Sequence, residues 1–284
     1  MKEQIKQFAK ELHISGLGVC EARIYTELYD ILAQYHTPFT PPPEKRLSPF
    51  DFIPDAKSVI MCAFNYFNGN ISGNISKYAR GTDYHTVVKN KLAALCEKIE
   101  AVHGAFSHYI FCDDSPLCDK YLAYLSGLGV FGRNHLLIHP TYGSYIFIGG
   151  IVTSLVLAPD KPLPGRCAGC GRCAAACPGN AFKNGFDASR CASYLLQKRG
   201  QLQPEEEDIV RRAGMAWGCD ICSDVCPHNQ AVPMTDIDEF HAKIYNMQNE
   251  QLLGDKAFRD NFEGYAFSWR GRAVLHRNVK LLED

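Results

Sequence analysis

The sequence carries almost no net charge. Its 30 lysines and arginines face 31 aspartates and glutamates over 284 residues, leaving −1 at pH 7. A basic coat for nucleic acid is therefore absent, although a local basic face is still allowed. Long hydrophobic runs are missing as well. The longest, Tyr145 to Ala158, is shorter than the roughly 20 residues a spanning helix needs. The first fourteen residues alternate charged and apolar side chains at helical spacing and contain no signal-peptide core. A soluble, cytoplasmic protein without a membrane partner is the expectation. No GxGxxG opens a helix after a strand, which argues against a nicotinamide or FAD site, and there is no P-loop, HExxH or GxSxG. Internal repeats and low-complexity tracts are also lacking. With 46% hydrophobic residues, bulk disorder is excluded.

What is present begins with alternating elements. Apolar spacing predicts helices over Ile5 to Leu12, Thr26 to Tyr35, Tyr84 to Val102 and Leu117 to Leu125. Strands are predicted at Gly18 to Glu21, Ser58 to Phe64 and Tyr109 to Cys112, with one or two more over Ser144 to Leu157. The proline-rich HTPFTPPPEKR reads as loop or extended chain. Short strands between helices suggest an α/β or α+β layer. Composition shifts at Ala158: APDKPLPGR is a linker, cysteine and glycine dominate from Cys167 to Asn229, and the remainder from Ala231 is polar and helical.

The thirteen cysteines are unevenly placed, eight of them between Cys167 and Cys226. Cys20, Cys62, Cys96, Cys112 and Cys118 sit in apolar or helical surroundings and read as reduced core thiols. Cys167, Cys170, Cys173 and Cys177, followed by Pro178, spell C-x2-C-x2-C-x3-C-P, the bacterial ferredoxin run whose fourth thiolate reaches a second cluster. Cys191, Cys219, Cys222 and Cys226 with Pro227 supply the complement. With fourth ligands exchanged, one [4Fe–4S] cluster takes Cys167, Cys170, Cys173 and Cys226, and the other Cys177, Cys191, Cys219 and Cys222. Two four-thiolate zinc sites are the bland alternative, but zinc ribbons rarely use three cysteines two apart before a fourth and proline. Electron transfer is the chemistry this pattern indicates, and a lone ferredoxin needs no 160-residue companion. Asp83-Tyr84-His85 lacks the glycine that would complete a motif offering a histidine to a cobalt corrinoid.

Several ordered motifs go further. SKYARGTDYH (Ser76 to His85), FCDDSP (Phe111 to Pro116), GLGVFGRNHLLI (Gly127 to Ile138) and GSYIFIGGI (Gly143 to Ile151) precede CAGCGRCAAACP, CASYL (Cys191 to Leu195) and GCDICSDVCPHN (Gly218 to Asn229). From about residue 45 to 230 the chain closely resembles the epoxyqueuosine reductases, cobalamin-dependent enzymes of the last step of queuosine synthesis in tRNA. A weaker similarity extends over Phe258 to Asn278. Longer members of that family carry a C-terminal helical-repeat domain that helps hold tRNA; this sequence stops at Asp284, where it would begin, and so resembles a short form. Thr37 to Pro43 does not match the family pattern.

The resemblance implies an α+β protein: a cobalamin-binding catalytic domain over 1–160, a ferredoxin-like domain with two [4Fe–4S] clusters over 161–230, and a helical tail over 231–284. It implies base-off cobalamin with no protein ligand on cobalt, and Asp113 as the proton donor facing the metal. The bland reading of Asp113 is an N-cap for a helix beginning at Pro116. Ser76, Leu137, Ile148, Ser193 and Asp220 match positions lining the corrinoid; ordinary caps and core packing are their alternatives. Arg80, Asp83 and His85 could equally form a surface ion pair. Lys161 to Gly200 carries seven basic side chains against Asp187 alone, suited to RNA phosphates or to balancing anionic clusters. The expected activity is reduction of epoxyqueuosine in tRNA, by a monomer supplied with electrons by a ferredoxin or flavodoxin. A cobalamin reductase of small molecules, like the reductive dehalogenases, and a non-catalytic electron carrier are the alternatives.

Overall fold

Ser58 to Asn65 (SVIMCAFN) is apolar at nearly every position, leaving no face for water, and all eight residues are buried. In the computed structural model, which describes every residue except 35–39, 253 and 284, this run is an inner strand of an antiparallel sheet. The sheet contains β1 (Gly16–Glu21), β2 (Ser58–Asn65) and β3 (His108–Phe111). After the short hairpin strands β4 (Val130–Phe131) and β5 (Leu137–Ile138) it is completed by β6 (Ile146–Thr153). The order is β1-β2-β6-β3, with Gly16 opposite Ala63, Ser58 opposite Thr153 and His108 opposite the same Thr153. Antiparallel pairing makes the class α+β, as expected. The Ser144–Leu157 stretch is one strand, trimmed at both ends.

Around the sheet lie α1 (Lys2–Glu11), α2 (Tyr29–Gln34), α3 (Tyr84–His103) and α4 (Asp119–Leu125). The α3 helix buries Val87, Val88, Leu92, Leu95, Cys96 and Ile99, the three-to-four spacing of one apolar face. It approaches β6 at Gly149, where a Cβ would stand 2.5 Å from Val88 Cγ1. A side chain there would push helix and sheet apart. The predicted second helix is divided: Thr26–Leu28 is a 3₁₀ turn leading into α2. Part of the proline-rich stretch lies outside the described residues, and its end, Pro43–Arg46, is a 3₁₀ turn with proline at its start, not extended chain.

The described residues cluster into two units. One is Met1–Asn65 with His85–Ala168; the other is Tyr66–Tyr84 with Gly169–Asp284. Residues 66–84 thus join the cysteine-rich unit, where Ile75 bridges Trp217 and the Ser76 N–H donates to the Trp217 carbonyl at 2.9 Å. That unit contains α5 (Arg172–Ala176), α6 (Ala192–Leu195), α7 (Pro204–Ala213), α8 (Ile221–Asp224), α9 (Asp255–Phe262) and α10 (Arg272–Glu283). Gln203 and Glu206 cap α7 reciprocally, with Pro204 at its first position. The stretch from Ala231, expected to be helical, is largely irregular until α9. Its apolar residues Phe258, Phe262, Phe267 and Leu275 form one core with Ile75, Ala79 and Trp217. Asn278 of α10 is buried and donates to the carbonyls of Leu196 and Ala216, at 2.8 and 2.9 Å. Among the described residues no helix is long and apolar enough to cross a membrane.

Candidate active site and cluster-binding loops

In the first unit, β3 ends at Phe111 and the chain turns sharply before α4. Asp113 occupies the left-handed region there, with φ of 58°, a conformation that aspartate and asparagine tolerate better than most residues. Three side-chain oxygens hold the turn. Asp114 Oδ1 accepts the Cys112 N–H at 3.0 Å, Asp119 Oδ2 accepts the Asp113 N–H at 3.0 Å, and Ser115 Oγ accepts the Leu117 N–H at 3.2 Å. Asp114 also pairs with Lys89 of α3. Burial pushes its carboxyl up, but the Cys112 N–H and Lys89 outweigh this and hold it below the usual range. The cap position of α4 is Cys118, without a side-chain bond. Asp113 is therefore not an N-cap; it stands exposed on the turn.

Leu137 is buried on β5 and Ile148 half-buried on β6, both against the apolar core that includes Phe111 and Leu117. His139, two residues after Leu137 in sequence, is held neutral by burial, its pKa lowered to about 4. Its Nδ1 accepts the Thr141 and Tyr142 N–H groups at 3.1 and 3.3 Å.

In the second unit, Ser76 and Asp220 meet. Ser76 Oγ donates to Asp220 Oδ1 at 2.6 Å, and the Lys77 N–H donates to Oδ2 at 2.8 Å. Both side chains are buried, and Lys77, only 4% exposed, reaches Asp224 at 2.6 Å. Burial pushes the Asp220 carboxyl up, against the pull of Lys77 and Ser76. Gly218 makes this approach possible: its φ is 65°, and a Cβ would lie 2.6 Å from that of Ser76. Ser193 stands half-buried on α6, directly after Ala192 and Cys191. Of the two readings of Arg80, the surface ion pair does not hold. Arg80 is 2% exposed and donates to the carbonyls of Ile75 and Ile71, at 2.8 and 2.7 Å, so it braces the segment from inside.

Cys20, Cys62, Cys96 and Cys112 are buried, and Cys118 is half-buried. Burial pushes the Cys20 and Cys96 thiols up to about 12, which keeps them inert. Cys173 sits on α5 behind the left-handed Gly169 and Gly171, and Cys222 on α8; these two short helices pack together. Burial raises Cys219 to about 12, and the fields of Cys191 and Cys177 add to the rise. Cys222 is raised first by burial, then by Cys219, Cys191, Cys173 and Cys177. Among the described residues no three His, Cys, Asp or Glu side chains close on a single ion. The thiols instead gather within one another's field. The Ala181 N–H already donates to Cys177 Sγ at 3.4 Å, the amide-to-sulfur bond that helps stabilise an anionic cluster.

Residues 46–114, which end one residue past Asp113, match the family model described as epoxyqueuosine reductase QueG. An epoxyqueuosine reductase of Lactococcus garvieae is 32% identical, with 98% of this chain and 85% of that protein covered. The chain belongs to the epoxyqueuosine reductase family. It is an oxidoreductase, and residues 166–229 match the 4Fe-4S double cluster binding domain, so the cysteine-rich loops are its iron–sulfur module. A solved epoxyqueuosine reductase holding an epoxyqueuosine-modified tRNA stem loop superposes with a TM-score of 0.92 at 28% identity. The match covers 99% of this chain and 80% of that one. A catabolic reductive dehalogenase reaches a TM-score of 0.51 at 16% identity, a likeness of fold alone. Sequence reading missed two residues of this family member's site region, Asp119 and the buried Lys77. Neither stands out in the sequence, where an acid at a helix start and a lysine are ordinarily exposed.

Proposed function

We propose that this protein reduces epoxyqueuosine to queuosine in tRNA, with cobalamin as the reacting cofactor and two [4Fe–4S] clusters as the electron route. The observation that carries this reading is Asp113, an exposed carboxyl on a peptide held by the Asp119 side chain, at the end of the family-matched segment. Two electrons and two protons convert the epoxide to an alkene and water. When bound, cobalamin supplies a strongly reducing nucleophilic metal. The family resemblance would give it Leu137 and Ile148, an apolar pair of the first unit, and Ser76 and Asp220, a buried hydroxyl–carboxylate pair of the second. Ser193 completes the contacts implied by the family, and no histidine is assigned to the cobalt. Asp113 delivers a proton to the departing oxygen as general acid. The electrons come from a low-potential ferredoxin or flavodoxin, and the protein acts as a monomer.

Phosphate contacts are assigned to the basic Lys161–Gly200 segment. Within it, Lys183 and Arg190 line a cavity of about 450 Å³ together with Asn180, Asn184 and Phe186. The deciding experiment supplies reduced protein and cobalamin with tRNA from cells lacking the final step. The modified nucleoside should lose the mass of one oxygen. An unchanged nucleoside, with a halogenated phenol dehalogenated in its place, would overturn the tRNA assignment.

The cluster ligands are assigned crosswise: Cys167, Cys170, Cys173 and Cys226 for one, Cys177, Cys191, Cys219 and Cys222 for the other. Anaerobically purified protein should then hold about eight iron and eight sulfide per chain, and Cys191→Ser about four of each. Iron unchanged by Cys191→Ser would remove that residue from the ligand set.

A further inference from the structure

Asp119, the first residue of α4, is joined to the Asp113 turn in a way the reaction described above does not use. Its Oδ2 accepts the N–H of Asp113 itself, at 3.0 Å, while its Oδ1 is closed off from solvent with no hydrogen-bond partner among the described residues. A buried carboxylate oxygen without a donor is costly. A non-glycine residue at positive φ, as Asp113 is, persists only where its surroundings hold it. Each feature is unfavourable alone, and the hydrogen bond links them.

Resting on the assignment of Asp113 as proton donor, we propose that Asp119 is a positioning residue: its carboxylate clamps the Asp113 peptide in the orientation that presents the donor, and its protonation loosens the clamp. The surrounding groups are consistent with this. Asp113 and Asp114 face it from the turn, and Lys89 of α3 is engaged by Asp114. Lys120 beside it directs its ammonium to the His135 carbonyl at 3.0 Å. Cys112, Cys118 and Tyr109 feel its charge, and burial keeps all three protonated. Burial is also the largest influence on Asp119, pushing its pKa up to about 7; the Asp113 N–H opposes this, and the Asp113 and Asp114 charges add to it. An ionised carboxylate is the stronger acceptor. The hold on Asp113 is therefore full above neutral pH and lost as the pH falls below it.

The test follows the Asp113 backbone ¹⁵N resonance with pH in the full, cluster-loaded chain without cobalamin or tRNA. This readout needs neither turnover nor a variant. In the wild type it should move with a midpoint of about 7. In Asp119→Asn, whose amide oxygen still accepts the N–H but cannot titrate in this range, the inflection should vanish. In turnover, Asp119→Asn should flatten the acidic limb of the kcat profile. Asp119→Ala should lower kcat by up to about 10²-fold, as a misplaced catalytic group does, with KM for tRNA unchanged. A wild-type resonance without an inflection near neutrality, or the same inflection in Asp119→Asn, overturns the clamp. A wild type that titrates as stated yet leaves tRNA unaltered supports the clamp and counts against the reductase assignment alone.

Discussion

Asp113→Asn should leave both clusters loaded and the fold intact while lowering turnover by about 10²–10⁴-fold, the usual worth of general-acid help. Asparagine is the informative replacement because it suits the backbone as well as the side-chain shape. Asp113 lies at φ 58°, a region that asparagine enters readily and most β-carbon-bearing residues avoid. The Asp113 N–H to Asp119 bond belongs to the main chain and survives the change. What is lost is the transferable proton. Asp113→Ala would mix that loss with backbone strain and is the weaker test. Asp114→Asn is the control: its carboxylate is occupied by the Cys112 N–H and by Lys89. An exposed ion pair of this kind contributes about 0–1 kcal/mol, so turnover should change little. Single-turnover measurement of the two variants decides the assignment. Equal losses, or a larger loss for Asp114→Asn, would show that the proton donor has been misplaced.

Asp220→Ala should destabilise the second unit by about 3–5 kcal/mol, the usual cost of removing one partner from a buried charged network. The carboxylate accepts from the Ser76 hydroxyl and the Lys77 N–H, and its residue is 7% exposed. Deletion leaves both donors buried without an acceptor and removes a negative charge beside the buried Lys77 ammonium. Asp220 also precedes α8, where its carbonyl accepts the Ser223 and Asp224 N–H groups, at 2.9 and 2.8 Å. The main-chain bonds persist in the variant, so the loss is of anchoring, not of the helix. Asp220→Asn should recover part of the stability, because its amide oxygen satisfies one of the two donors. Calorimetry of the cluster-loaded protein reads both variants. An Asp220→Ala protein melting with the wild type would mean that water replaces the carboxylate and the network contributes little.

The outcome of the local predictions follows from what local sequence contains. The FCDDSP run was singled out for a turn and a proton donor, and the turn is there. The bland alternative, an N-cap, does not hold because α4 begins three residues later than Pro116 suggests, at Asp119, with Cys118 as the cap. Arginine usually lies at the surface, and nothing in the sequence around Arg80 says otherwise. Its burial depends on the carbonyls of Ile71 and Ile75 turning inward, which no spacing rule reports. The tail from Ala231 looked helical because it is polar between scattered apolar residues. Those apolar residues instead bury against Trp217 and Ile75, a core that periodicity within the tail could not locate.

The cysteine spacing by itself indicated the iron–sulfur chemistry, since Cys167, Cys170 and Cys173 lie within one short loop, as do Cys219 and Cys222, and spacing of that kind is a local matter. Continuous apolar runs likewise determined β2 and most of β6, because a strand with no polar face must be buried wherever it goes. Only the tertiary structure decided that Ser76 and Asp220, 144 residues apart, share a 2.6 Å hydrogen bond. It alone placed residues 66–84 with the cysteine-rich unit and set the Asp119 carboxyl against the Asp113 peptide. Pattern along a chain records which side chains avoid water. It does not record which distant donor satisfies a buried carboxylate, because that pairing is chosen when the whole fold must leave no charge without a partner.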